Sequence, residues 1–279
     1  MTCISLSMRA WLAACALLVA PLARAGGGPE NVFLIVNPRG AKSKEVANHY
    51  VQMRQIPPDN VYYLPLPPSA NEMKALDFRE KLLRPALTAI ERRGLQDQID
   101  YIVYSCEFPW RVDFAEMFPQ LASNPQLRPM ASLTGATFLH QFVNEGSDSL
   151  VQLHTNFYGA PYDGPTTASR AFRHKYQWGP DGSRLDAGGL QYYLSTQLGS
   201  TAPSGNSVEE ILSALRRAAD ADGTTPPGTF YFMQNSDVRS RVWQPRFAAA
   251  VRELQALGLQ AAVLNGVVPT GRAAVAGLT

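Results

Sequence analysis

Three continuous apolar runs separated by helical periods constrain this chain more than any other feature. Asn31 to Asn37 is apolar throughout its interior and is ended by Pro38 and Gly40. Such a run, without polar alternation, is the pattern of a strand buried on both faces, as in a parallel sheet. Asn60 to Leu64 reads as a second strand, and Ile99 to Ser105 as a third, buried one. Between the first two lies a helical stretch, Ala41 to Gln55, with Val46, Tyr50, Val51 and Met53 at near-helical spacing and Ser43 near its start. Between the second and third, Ser69 to Arg93 carries Leu76, Leu83, Leu87 and Ile90 at intervals of three, four and seven, with Pro85 expected to kink or divide it. The order β-α-β-α-β with short links predicts an α/β fold, with an open, mostly parallel sheet flanked by helices.

The regular alternation stops after Ser105. From Glu107 to Gly189 the sequence is rich in Pro, Gly, Asn and aromatic residues, and only Ala131 to Val143 reads as helical. A long irregular insertion in a compact protein points to function or mobility. Alternation resumes with strands expected at 190–198, 229–233 and 259–264 and helices at 207–221 and 240–257. Ser207 to Glu210 forms a capping box at the start of the first of these helices. The expected organisation is therefore residues 1–25 as an export signal, 26–106 as a first α/β half, 107–189 as the insertion and 190–279 as a second half. A doubly wound sheet rarely stops on a short apolar piece such as Ala273 to Thr279. The chain is accordingly expected to continue past Thr279.

Charge then removes several function classes. The 279 residues carry 25 Lys and Arg against 23 Asp and Glu. The excess lies in the first 25 residues, which hold Arg9, Arg24 and no acid; the remaining 254 residues balance 23 bases against 23 acids. A neutral chain does not suit a nucleic-acid binder or a polybasic membrane-surface protein. Met8-Arg9, the apolar stretch Ala10 to Leu22 and Ala23-Arg24-Ala25 have the form of a cleaved signal peptide. Leu12 to Cys15 resembles a lipobox, but the apolar region continues beyond the cysteine. No later segment is apolar for the ~20 residues that span a bilayer. The expectation is an exported, periplasmic or extracellular protein without a transmembrane anchor. Cys106 is then its single thiol, which excludes an internal disulfide and a cysteine-rich metal site.

In open parallel sheets, ligands bind beyond the carboxyl ends of the strands. That rule selects Asn37 to Gly40, Glu107 to Arg111, Gln234 to Asp237 and Asn265-Gly266. Cys106 is a candidate nucleophile that needs a histidine base, or a buried, inert thiol. Glu107 is a second catalytic candidate. Arg39 is a candidate anion-binding residue at a helix N-terminus, although Gly40 and Ser43 also read simply as a turn and a cap. Glu107 and Arg111 bracket Phe108-Pro109-Trp110, either as a charged aromatic rim or as an ion pair fixing the loop. Asp237 is a candidate ligand contact or an N-cap. His140, His154 and His174 accompany Asp148 and Asp163 in the insertion, but no His-x-x-x-His or His-Glu-x-x-His spacing occurs, and no metal or cofactor is expected. Tyr158, Tyr162, Phe172, Tyr176 and Trp178 suit either a peptide- or glycan-binding surface or an anchor for the insertion.

Asn31 to Asn37, then Ser43, Val46, Ala47 and Tyr50, then Arg54 to Pro57 with Asn60-Val61, resemble the opening of a family of exported bacterial α/β proteins with no assigned activity. Phe78, Arg84-Pro85, Asp100-Tyr101, Pro109 with Arg111, Gly228 to Phe232 and Ala274 to Gly277 fit the same pattern. The resemblance implies a fold and export, and no catalytic residue. Such sheets are also similar, at the level of fold, to caspase-gingipain peptidases. Members of the family usually carry a small residue or glycine where Cys106-Glu107 stands. Two function classes follow: a hydrolase, peptidase-like, with its site at the strand carboxyl ends, or a non-catalytic envelope or extracellular binding protein that uses the aromatic-rich insertion.

Overall fold

The computed structural model describes residues 27–68, 71–122, 129–151, 155–158, 172–201, 205–222, 224, 227–267, 270–272 and 275–278. Residues 1–25, expected to be an export signal, and His154, Tyr162 and Asp163 lie outside the described residues. The elements, in chain order, are β1 (Val32–Val36), α1 (Ala41–Arg54), β2 (Val61–Tyr63), β3 (Glu72–Lys74), α2 (Ala75–Phe78), a π-helical turn (Arg79–Leu83), α3 (Arg84–Arg92), β4 (Tyr101–Tyr104), β5 (Arg111–Asp113), α4 (Pro119–Ala122), β6 (Met130–Ser132), α5 (Leu133–Phe138) and α6 (His140–Glu145). They continue with β7 (Gln177–Trp178), β8 (Arg184–Leu185), β9 (Leu194–Gln197), α7 (Val208–Asp220), β10 (Thr229–Gln234), α8 (Val238–Ala256), β11 (Gln260–Asn265) and β12 (Val275–Leu278). The chain divides into two compact units, Met1–Arg216 and Arg217–Thr279.

The first unit is built on a parallel sheet in the order β2-β1-β4-β9. Side chains alternate across it because successive Cβ atoms point to opposite faces. Phe33, Ile35, Ile102 and Tyr104 pack with Phe78, Leu82, Leu83, Ala86 and Ile90 of the α2–α3 region. Leu34, Val36 and Val103 pack on the other face with Ala47 of α1. Both faces are covered at the centre of the sheet, which is why β1 and β4 read as unbroken apolar runs. The expected α/β class with an open, mostly parallel sheet flanked by helices is the one observed.

Two expected elements take a different form. The helix expected from Ser69 begins only at Ala75, because Glu72–Lys74 is drawn into a strand parallel to β5. Pro85 does not divide that helix. It sits just after the π-helical turn, which widens the coil around Lys81, the residue whose carbonyl a proline ring at 85 would strike in an α-helix.

The described residues of the insertion hold more regular structure than its composition suggests. It contributes β5 and β6 to a small sheet in the order β3-β5-β6, and β7 and β8 to a hairpin. The helix expected over Ala131 to Val143 starts only at Leu133, after β6, and is two short helices separated by the non-helical backbone of Leu139. Phe172 and Trp178 are buried with Tyr192, and Tyr158 meets both rings edge-on. These aromatic residues therefore anchor the insertion.

The second unit holds a parallel sheet in the order β11-β10-β12, with Phe247 of α8 packed on Phe232. Among the described residues, no helix is long and apolar enough to cross a membrane.

Candidate functional site

At the carboxyl end of the first sheet the polar groups satisfy one another. Asn37, the residue after β1, is fully buried, and all four of its side-chain contacts are to backbone. Its Nδ2 donates to the carbonyls of Leu66 at 3.0 Å and Glu107 at 3.1 Å, and its Oδ1 accepts from the amides of Arg39 at 3.1 Å and Leu66 at 3.2 Å. One side chain thus ties together the loops after β1, β2 and β4. A buried amide is stable only when its donors and acceptors are met in this way.

Ser43 and Ser105 extend the network. Ser43 Oγ accepts the Asn37 amide at 3.0 Å, and Ser105 Oγ donates to the Ser43 carbonyl at 2.6 Å. The Glu107 carboxylate then accepts the Ser43 amide at 2.9 Å. It occupies the place of an N-cap on α1, whose own N-cap residue, Gly40, has no side chain to supply. A Cβ at Gly40 would collide with that carboxylate. Glu107 reaches this position from a left-handed backbone, with φ of 61°.

Cys106 lies beside this network with its thiol fully buried among Val46 and Ile211, flanked by Leu198, Val208 and Leu215. Burial, and then the neighbouring Glu107 carboxylate, push the thiol up to about 11. At neutral pH it is protonated and hence a poor nucleophile.

The other sequence candidates are dispersed. Arg39 is exposed beside Gly40. Arg111, on β5, pairs with Glu72 of β3 at 2.7 Å rather than with Glu107. The Arg111 Nε–H is not aligned for a hydrogen bond, so the contact is an ion pair, and the guanidinium lies 4.8 Å from the Trp110 ring centre. Asp237 is exposed in the second unit and accepts the Arg239 amide at 2.8 Å, capping α8.

Two assemblies escape sequence reasoning. The first is a buried aromatic stack. His174 lies flat on Tyr193 with ring centres 3.5 Å apart, and His140 meets both rings at 5.5 and 5.0 Å. His174 Nδ1 is 3.0 Å from the Tyr192 carbonyl, which fixes the proton on that nitrogen. The adjoining Asp100 carboxylate accepts the His174 amide at 2.7 Å and pairs with Arg173 at 2.8 Å. Burial holds both imidazoles neutral, lowering His174 to about 4. His140 falls to about 3, with the neighbouring His174 as a further cause. Among the described residues, no group of three or more His, Cys, Asp or Glu is arranged to hold a metal ion.

The second assembly is a cavity of about 460 Å³ within the insertion. Phe114, Met130, Ala136, Phe138, Leu139 and Leu150 form its apolar wall, and Ser132, Thr155 and Asn156 are its polar lining residues. Among the described residues, none that lines it is ionisable. Its size and lining are those of a small-ligand pocket, about 300–1,000 Å³ and mainly apolar. The only signal in the sequence is the apolar character of Met130 to Leu139, which as a linear string is indistinguishable from core. No protein-family model, curated protein or solved structure matches this chain.

Proposed function

We propose that this is an exported binding protein whose insertion takes an apolar ligand, without catalysis. The cavity of about 460 Å³ carries the proposal, because its described lining is mainly apolar, uncharged and drawn from the insertion. A hydrolytic reading places the chemistry at the strand carboxyl ends. The two catalytic candidates there are engaged: Glu107 caps α1, and Cys106 is a buried, protonated thiol. The lining also argues for an apolar group over a glycan, whose hydroxyls would lose water without finding partners.

The proposal is tested by titrating the protein with a naphthalene-sulfonate dye and following its fluorescence. Met130, at the cavity wall, is 38% exposed, so Met130→Asp introduces a charge there with little disturbance of the core. A saturable site weakened about tenfold or more by M130D is expected, since an unpaired carboxylate in an apolar pocket is costly. Equal affinity of wild type and variant would contradict the assignment.

A further inference from the structure

We infer that the ligand of this pocket is an extended peptide that adds as a strand to β6 and lays an uncharged apolar side chain over the cavity. The inference rests on the binding reading above. It comes from the coincidence of a cavity and a strand edge on one surface.

Among the described residues, β6 is the outer strand of the small sheet and pairs only with β5. Ala131 stands opposite Val112. The flanking bonds are Phe114 N–H to the Pro129 carbonyl at 2.7 Å and Leu133 N–H to the Trp110 carbonyl at 3.0 Å. In an antiparallel ladder this register turns the backbone groups of residues 129, 131 and 133 towards β5 and those of Met130 and Ser132 away from it. Met130 N–H and C=O and Ser132 N–H therefore point to the free edge. Met130, Ala131 and Ser132 all line the cavity, so the unpaired edge runs along its rim.

A strand edge of this kind is a template for another extended backbone. Main-chain hydrogen bonds would hold the peptide, and the alternation of side chains would select it. The peptide residue opposite Ala131 projects on the same face as Ala131, Val112 and Phe114. Val112 and Phe114 belong to the core cluster and Ala131 packs against it. Among the described residues, that side chain meets an apolar wall with no ionisable group. An aspartate or lysine there would lose hydration without a counter-charge, so neutral apolar residues are favoured.

The test is calorimetric titration of the full chain with acetyl-Thr-Val-Phe-Val-Thr-amide and two N-methylated forms, one methylated on both valines and one on the phenylalanine. Successive N–H groups of an extended strand face opposite edges, so only one pattern removes the bonds to β6. The expected result is binding of the parent peptide, displacement of the dye, and an affinity difference of about tenfold or more between the methylated forms. Equal affinities of the two forms, or dye binding with no peptide binding, overturn strand addition while leaving the pocket reading intact. Failure of the dye itself to bind overturns the pocket reading.

Discussion

The Glu107 carboxylate accepts the backbone N–H of Ser43 at 2.9 Å across a sequence separation of 64 residues. This bond replaces the missing N-cap of α1 and closes the polar network at the carboxyl end of the first sheet. Glu107→Ala should destabilise the protein by about 1–2 kcal/mol, the cost of losing a cap and a charge at a helix N-terminus. Glu107→Gln keeps an acceptor and should lose less. Urea denaturation of both variants checks the order, and equal stability of E107A and wild type would remove the capping role.

Asn37 should be more sensitive than Glu107. Its side chain makes four hydrogen bonds to buried or partly buried backbone, and Asn37→Leu leaves those groups without partners. A loss of about 3 kcal/mol or more is expected, from about 1–3 kcal/mol for each unsatisfied group. Asn37→Asp should also lose stability, since a carboxylate cannot donate to the carbonyls of Leu66 and Glu107. A urea midpoint within error of wild type for N37L would contradict this account of the network.

Much of the first unit can be read directly from its residues, and the reason is local. Phe33 to Val36 and Ile102 to Tyr104 are apolar on both faces, so their pattern alone indicates buried parallel strands. The Glu107 cap cannot be read in this way, because it depends on where the loop after β4 meets the start of α1. The same holds for the cavity, where Phe114, Met130, Ala136 and Leu150 come from separate stretches of the insertion. Composition was also misleading in the insertion, whose described residues include short strands and helices among the prolines and glycines. His140 and His174 carry no motif spacing because they are 34 positions apart in the chain and meet only in the fold, against each other and Tyr193.

Acid should loosen the His140–His174 stack. Both imidazoles are lowered in the folded state, to about 3 and about 4, from an unfolded value of about 6.5. The unfolded chain therefore binds more protons below about pH 6.5, and the stability contributed by the neutral pair is lost as pH falls from there towards 4. With two such groups the slope approaches about 2.7 kcal/mol per pH unit where both differ. His174→Asn, which keeps a donor for the Tyr192 carbonyl, should remove about half of that slope. Urea midpoints measured between pH 7 and pH 5 provide the check, and an unchanged slope in H174N would refute the assignment.

Cys106 should resist thiol reagents in the native protein. With the thiol near 11, about one in a thousand is ionised at pH 8, and the group is enclosed as well. Mass analysis should find the Cys106 peptide unlabelled by iodoacetamide under native conditions and labelled in urea. Rapid native labelling would contradict the burial and reopen a nucleophilic role.

The claim that the insertion's cavity is a binding site is tested most directly by the methyl resonance of Met130. With methionine methyl groups labelled with carbon-13, the protein is titrated with the naphthalene-sulfonate dye. The account predicts a saturable shift of the Met130 signal, while Met53 of α1 and Met233 of β10, which do not line the cavity, stay in place. A folded protein whose Met130 signal does not move at dye concentrations that saturate fluorescence would contradict it.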